Sequence, residues 1–194
     1  MASSARLNVS TLPELIATVK AQPGKLNYGS TGNGTAVHLA GEVLKSTAGL
    51  DAVHVPYKGG PEAVNALITG ETAFMVVNVG LVLPQLRGGK ARALAVTGSR
   101  RIAALPDVPT LREAGIAGTE VTTWFGLFAP AGTPKAAVDR LQRDAATALR
   151  AASERFAAQG DEAVGSTPEQ FAAFVRAEHA KWGKVIKDFG VKIE

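Results

Sequence analysis

The residues best suited to chemistry lie in one glycine-rich loop, inside the stretch KLNYGSTGNGTAVHLAGEVL (25–44). Hydroxyl and amide side chains alternate there with glycines, and a helix-favouring sequence follows directly. A loop of this kind at a helix N-terminus presents free backbone N–H groups and the positive end of the helix dipole, and both favour an anion. The loop residues predicted to bind such an anion are Ser30, Thr31, Gly32, Asn33, Gly34 and Thr35.

Two well-known phosphate motifs fail in this loop. A Walker loop needs a lysine directly after its second glycine, and Thr35 stands there instead. The dinucleotide fingerprint needs a third glycine where the chain has Val37. The remaining amide and hydroxyl donors suit a small carboxylate, which accepts several hydrogen bonds without a metal or a lysine. A plain capped turn without a ligand is the alternative.

The three histidines predict neither a metal site nor a clear catalytic site. His38 lies one turn into the helix after the loop, where Glu42 could orient it, but no nucleophile elbow surrounds Ser30. A structural role for His38 is therefore favoured, with ligand contact next, and an enzyme acting on a carboxylate or ester is the alternative. His54 is predicted in a strand core and His179 in solvent, and this scattered spacing fits no metal site.

The loop must be positioned by the elements around it, and these alternate as strands and helices. Strand-like segments lie at 25–30, 51–57, 72–78 and 91–98. Helical segments at 35–46 and 59–70 and a short helix or turn at 80–89 separate them, and a first helix capped by Thr11 and Glu14 precedes them. This alternation predicts a parallel sheet with right-handed crossovers. Ligands bind at the carboxyl edge of such sheets, so Tyr57, Lys58 and Asn78 are predicted to join the loop on one rim. An ordinary surface lysine is an equal alternative for Lys58.

The chain after residue 98 predicts a different kind of structure. A short capped helix is expected at Thr110, an extended crossing at 118–134, and two long helices capped by Thr133 and Thr167. The last helix carries an apolar stripe at helical spacing: Phe171, Phe174, Val175, Trp182, Val185, Ile186 and Phe189. Because only 161–165 resembles a strand there, this part predicts half of a domain whose sheet lies elsewhere, with self-association through the stripe as one consequence.

Composition excludes several classes of protein. The net charge of +4 is spread along the chain without a basic stripe, so no nucleic-acid partner is expected. The absence of cysteine excludes thiolate metal sites and cysteine nucleophiles. No cofactor or metal is predicted. The first ten residues lack the apolar core of a signal peptide, so the chain would be cytoplasmic if complete.

Five blocks resemble the Bug-type extracytoplasmic solute receptors, which are the substrate-binding proteins of tripartite tricarboxylate transporters. They are GKLNYGSTGNGTAVHLAGE, HVPYKGGPEAVNALITGE, ALAVTGSRRIAALPDVPTLREAG, TWFGLFAPAGTP and AKWGKVIKDFG, and the similarity runs from about Leu7 to Glu194. The resemblance implies an α/β fold like the type 2 periplasmic binding proteins. It also implies a non-enzymatic periplasmic receptor that passes small carboxylates (di- or tricarboxylates, acidic amino acids or aromatic carboxylates) to membrane permease subunits.

The resemblance also implies a division of the chain and two departures from the family. Residues 1–124 match a complete parallel-sheet ligand-binding lobe (family domain 2), and 125–194 match the hinge crossing and the C-terminal helical part of domain 1. The family's N-terminal portion has no counterpart here, so a truncated, non-functional remnant and half of a two-chain complex are alternatives. Where family members often carry acids and a serine, this chain has Ala73, Val77 and Leu81.

Overall fold

The computed structural model describes residues 1–118 and 120–189, which contain five strands and seven α-helices. The strands are β1 (Ala2–Ser4), β2 (Asn27–Ser30), β3 (Val53–Pro56), β4 (Phe74–Met75) and β5 (Ala91–Ala93). The helices are α1 (Leu12–Lys20), α2 (Ala36–Ala48), α3 (Gly60–Thr69), α4 (Val79–Arg87), α5 (Lys135–Ala151), α6 (Ser153–Gln159) and α7 (Pro168–Phe189). Among these residues, no helix combines the length and the apolar character needed to cross a bilayer.

Three of the predicted helices start at a residue whose side chain caps the helix N-terminus. The Thr11 side chain accepts from the Glu14 amide at α1, and the Thr35 side chain accepts from the His38 amide at α2. At α7, Thr167 and Gln170 exchange hydrogen bonds between each side chain and the other backbone amide. These reciprocal bonds satisfy amides that have no partner within the helix, which is why the sequence signal located the starts correctly.

The sheet has the strand order β3-β2-β4-β1-β5 and is mixed. β2 pairs in parallel with β3 and β4, as predicted, whereas β1 pairs antiparallel with both β4 and β5. The expectation of a purely parallel sheet is therefore wrong at β1, whose Ala-Ser-Ser sequence carries no strand signal. Tertiary pairing determines its conformation: the Ser4 amide donates to Ala73 O on one side, and the Leu94 amide donates to Met1 O on the other.

Helices cover both faces of this sheet and enclose two apolar cores. One face buries residues of α1 and α2, including Leu15 and Leu44, against Tyr28 and Phe74 of the sheet. The other face buries residues of α3 and α4, including Leu67 and Val82, against the rest of the sheet. Because the central strands β2, β4 and β1 are largely buried, their register and therefore the positions of their carboxyl ends are fixed.

The chain beyond β5 differs from expectation in three places. Residues 111–115 form turns rather than a helix, although the Thr110 side chain accepts from the Glu113 amide as a cap would. Residues 161–165 are not a strand. Thr133 donates its hydroxyl to Pro130 O instead of capping α5, whose N-cap is Pro134.

Residues 120–130 of the predicted crossing form neither helix nor strand, and they expose large apolar side chains. Phe125, Leu127 and Phe128, which we call the crossing patch, are 86%, 82% and 71% exposed. Phe128 also packs against Phe171 of α7, with 5.2 Å between ring centroids. The α7 stripe itself is only partly open, because Trp182 packs against the sheet's core cluster; the Phe189 side chain of that stripe lies outside the described residues.

Candidate functional site

The predicted rim exists because three parallel strands end side by side. β2 lies between β3 and β4, and its last residue, Ser30, is in register with Pro56 at the end of β3. α2, α3 and α4 each begin shortly after one of these strand ends. Their N-termini therefore converge on the edge that carries the glycine loop, and each contributes a positive dipole end and unpaired amides.

Internal hydrogen bonds fix the conformation of the loop and use part of its donors. The Ser30 hydroxyl is fully buried and contacts both the amide and the carbonyl of Gly32, at 3.1 and 3.2 Å. The Thr35 hydroxyl donates to Gly32 O at 2.8 Å, and Thr31 donates to Thr35 at 3.4 Å. Gly32 and Gly34 have φ of 130° and 71°, which favours glycine at both positions. The hydroxyls predicted to bind an anion therefore hold the loop instead.

Other donors in the loop remain open. Among residues 1–118 and 120–189, no protein acceptor pairs with the backbone amides of Asn33, Ala36 or Val37. They lie in the loop and the first turn of α2, and the Asn33 side chain is exposed beside them. Backbone amides at a helix start, oriented before any ligand arrives, are well suited to carboxylate oxygens.

The other predicted rim residues differ in availability. The Tyr57 hydroxyl donates to Glu71 at 2.8 Å, just before β4, so the phenol is engaged away from the loop, and only the backbone of Tyr57 approaches Gly32. Burial and this carboxylate raise the pKa of Tyr57 to about 12. In the described part of the chain, the Lys58 ammonium is exposed without an ion pair and the half-buried Asn78 side chain has no hydrogen bond.

Two histidines lie directly beneath the loop, an arrangement that the sequence did not predict. His38 is buried and stacks on His54 with 4.0 Å between ring centroids. His38 Nδ1 accepts from the Gly34 amide at 3.1 Å, and His54 Nε2 lies 2.7 Å from Ser30 Oγ. Burial lowers the pKa of His38, and burial together with the neighbouring His38 lowers the pKa of His54 to about 4. Both rings are therefore neutral at pH 7.

A second layer of polar residues supports these histidines from below. Tyr28 stacks on His54 and donates its hydroxyl to Glu42, which also pairs with Lys45 at 2.9 Å. Burial raises the pKa of Glu42, but the hydrogen bonds from Tyr28 and Lys45 outweigh it and lower the pKa overall. Glu42 is therefore an ionised structural anion rather than an orienting acid for His38.

This chemistry suits binding better than bond cleavage. Ser30 is within hydrogen-bond distance of a histidine, but it is fully buried and its oxygen already contacts Gly32, so a substrate cannot reach it. In the described ranges, no group of three histidine or acidic residues could hold a metal. The three positions at which family members often carry acids or a serine have apolar side chains in this chain. Ala73 and Val77 are buried, and Leu81 is partly exposed.

Comparison with known proteins extends over nearly the whole chain. It is 34% identical over 196 residues to protein BugT of Bordetella pertussis, covering 100% of this chain and 60% of BugT. The fold matches R. palustris Rpa4515 with adipate (TM-score 0.93, 33% identity), covering 98% of this chain and 64% of that one. It also matches MatC from Rhodopseudomonas palustris with bound malate (TM-score 0.84, 31% identity), covering 95% of this chain and 65% of MatC.

These matches confirm the fold class predicted from the resemblance, a type 2 periplasmic-binding α/β fold. The chain spans 60% of BugT and 64–65% of the two solved relatives, so less than two thirds of each. The family model of the tripartite tricarboxylate transporter family receptor matches residues 2–191. With sequence, fold and family model in agreement, the chain belongs to the tripartite tricarboxylate transporter receptor family.

Proposed function

We propose that this chain supplies one ligand-binding lobe of a receptor for a small dicarboxylate. The observation that carries the proposal is the set of unpaired, preoriented amides of Asn33, Ala36 and Val37 at the meeting point of three helix N-termini. The proposed contacts are these amides, the exposed Lys58 and the half-buried Asn78. The relatives support the ligand class, since solved structures of two of them contain adipate and malate.

We infer that residues 1–124 form the ligand-binding lobe and 125–194 the crossing and the C-terminal part of the other lobe. Two features support this division. The five strands all lie in residues 1–93, and no backbone hydrogen bond joins residues 122–129 to the rest of the described chain. A segment with unpaired backbone and exposed phenylalanines is suited to pairing with further strands.

We propose that in a full-length receptor this surface is covered by the portion of the relatives that the chain does not match. That receptor would act in the periplasm, as receptors of this family do, and deliver its ligand to permease subunits. Alone, the 194-residue chain would self-associate through the crossing patch, since exposed apolar clusters favour association.

The ligand affinity of the chain alone is expected to be low. A micromolar dissociation constant requires about 8 kcal/mol of binding free energy. A carboxylate held on one open rim keeps much of its hydration, and each hydrogen bond is screened by water. We therefore expect millimolar binding of adipate or malate, and a calorimetric titration that gave micromolar affinity would contradict this estimate.

Amide NMR titration with adipate tests the location of the site. Shift changes should concentrate at residues 31–37 and at Lys58. Lys58→Ala should weaken binding about threefold, because an exposed ion pair contributes roughly 0.2–1 kcal/mol. Lys90→Ala is the matched control: Lys90 is also exposed but lies just before β5, far from the strand ends of the rim. Absence of any shift, or shifts confined to residues outside the rim, would refute the proposed site.

A further inference from the structure

The two stacked histidines beneath the loop have no part in ligand contact as proposed above. Each one holds a different point of the loop: His38 holds the Gly34 amide, and His54 holds the Ser30 hydroxyl. Their rings are nearly parallel, with 11° between the planes. The loop conformation that leaves its other amides free therefore depends on both rings.

The contact with Gly34 fixes the protonation state of His38. Because Nδ1 accepts from an N–H group, it carries no hydrogen, and the neutral ring must carry its hydrogen on Nε2. Protonation would place a hydrogen on Nδ1 and so turn the acceptor into a donor that faces the donor of Gly34. A cationic His38 is thus incompatible with the loop as it stands.

The surroundings make simultaneous charging of both rings still less favourable. Two cations at 4.0 Å repel each other strongly in a partly buried site. The charged side chains that act on the pair are Glu42 and Lys45 from α2, and Tyr28 packs on His54 from β2. Glu42 favours the cations, but it is already paired with Tyr28 and Lys45. The pKa values of both histidines are accordingly lowered, mainly by burial.

We propose that His38 is a positioning residue for the anion loop, and that neutral His38 and His54 together hold the loop in its anion-binding conformation. Acid then releases the loop and weakens anion binding. This inference rests on the proposed carboxylate site, but it predicts the opposite sign from direct contact. A histidine that touched the carboxylate would become a cation in acid and bind it more tightly.

The test combines a ligand-free and a ligand-bound measurement on the 194-residue chain. Without ligand, nitrogen NMR should show His38 as the Nε2–H tautomer, and the Gly34 amide shift should titrate with His38 below pH 6.5. His38→Asn keeps an acceptor at the position of Nδ1 but cannot titrate, so its Gly34 shift should not follow pH in that range. His38→Phe keeps a ring for stacking but has no acceptor, so Gly34 should already be displaced at pH 7. In the control variant His179→Asn, changed at an exposed position on α7, the Gly34 amide shift should depend on pH as it does in the wild type.

With adipate as the probe, affinity is compared between wild type and His38→Asn at each pH, so that protonation of adipate itself cancels. The wild-type affinity should fall relative to the variant by about tenfold per pH unit below the pKa of His38. An Nδ1–H tautomer, a Gly34 shift that ignores pH, or an affinity ratio that rises in acid would each overturn the inference. If adipate does not bind at all but Gly34 titrates as stated, the proposed ligand fails while the positioning role stands.

Discussion

Replacing Gly41 with alanine would test the packing that supports the loop from below. A Cβ atom at Gly41 would lie 2.4 Å from Tyr28 Cε2 and 3.0 Å from Cδ2, well inside contact distance. The ring cannot simply move away, because it is fully buried between His54 and Phe74, with ring centroids 4.8 and 5.8 Å distant. Its hydroxyl is also held by Glu42. The clash must therefore strain the packing of α2 on the sheet and break that hydrogen bond.

The expected magnitude follows from three opposing contributions. Glycine to alanine inside a helix stabilises by about 1 kcal/mol through backbone entropy. Overpacking a dense core costs about 1–3 kcal/mol, and losing a hydrogen bond to a carboxylate costs about 1.5–3 kcal/mol. We expect Gly41→Ala to lower the free energy of unfolding by about 3 kcal/mol, since the two losses exceed the helix gain.

Urea denaturation followed by circular dichroism measures this change. Gly183→Ala is the matched control, because Gly183 also lies inside a helix but an added Cβ there meets nothing within 4 Å. It should raise the free energy of unfolding by about 1 kcal/mol. Tyr28→Leu should make Gly41→Ala tolerable by removing the ring. If Gly41→Ala were as stable as the wild type while Gly183→Ala behaved as expected, the claimed rigidity of the Tyr28 stack would be wrong.

Two further predictions concern acid stability and association. Because the folded pKa of His54 is lowered to about 4, against about 6.5 unfolded, the unfolded chain binds more protons in acid, and stability should fall as pH drops from 6.5 to 4. After discounting for partial exposure, this loss is about 2 kcal/mol, and His54→Gln should lack that part of the pH dependence in denaturation curves. In the crossing patch, Phe125→Asp with Leu127→Asp should weaken self-association at least about tenfold by sedimentation, since each side chain contributes roughly 1.5–3 kcal/mol when buried. Val53→Asp, at another exposed apolar position, should leave it unchanged.

The sequence predicted elements wherever local chemistry determines the conformation. Capping residues such as Thr11 and Thr167 located helix starts because they bond to amides three residues away. The prediction from sequence failed at β1, because the Ala-Ser-Ser segment becomes a strand only by pairing with residues about 70 and 90 positions further along the chain. It failed at Thr110 for the opposite reason, because the local cap is present but a turn, not a helix, follows it.

The sequence predicted the sheet edge on which the site is proposed, but not the hydrogen bonds that its side chains make. Strand order brought the loop and Tyr57 to one edge, as parallel strands require. The sequence pattern alone could not show that the Ser30 and Thr35 hydroxyls would donate to Gly32 O, or that the Tyr57 hydroxyl would donate to Glu71. A signal for the histidine pair did exist: His54 is in register with Tyr28 on β2, and His38 lies one turn into the helix that follows that strand.

The use of hydroxyls inside the loop strengthens the receptor interpretation rather than weakening it. A flexible loop would have to be ordered by its ligand, and that ordering would oppose binding. Here Ser30, Thr35 and the two histidines order the loop in advance, so a carboxylate would meet amides that are already fixed in place and have no protein partner among the described residues. An open rim leaves water around the bound ligand. A second lobe can remove that water by enclosing the ligand. The exposed phenylalanines of the crossing lie in the part proposed to belong to that lobe, so covering them and raising the affinity should occur together.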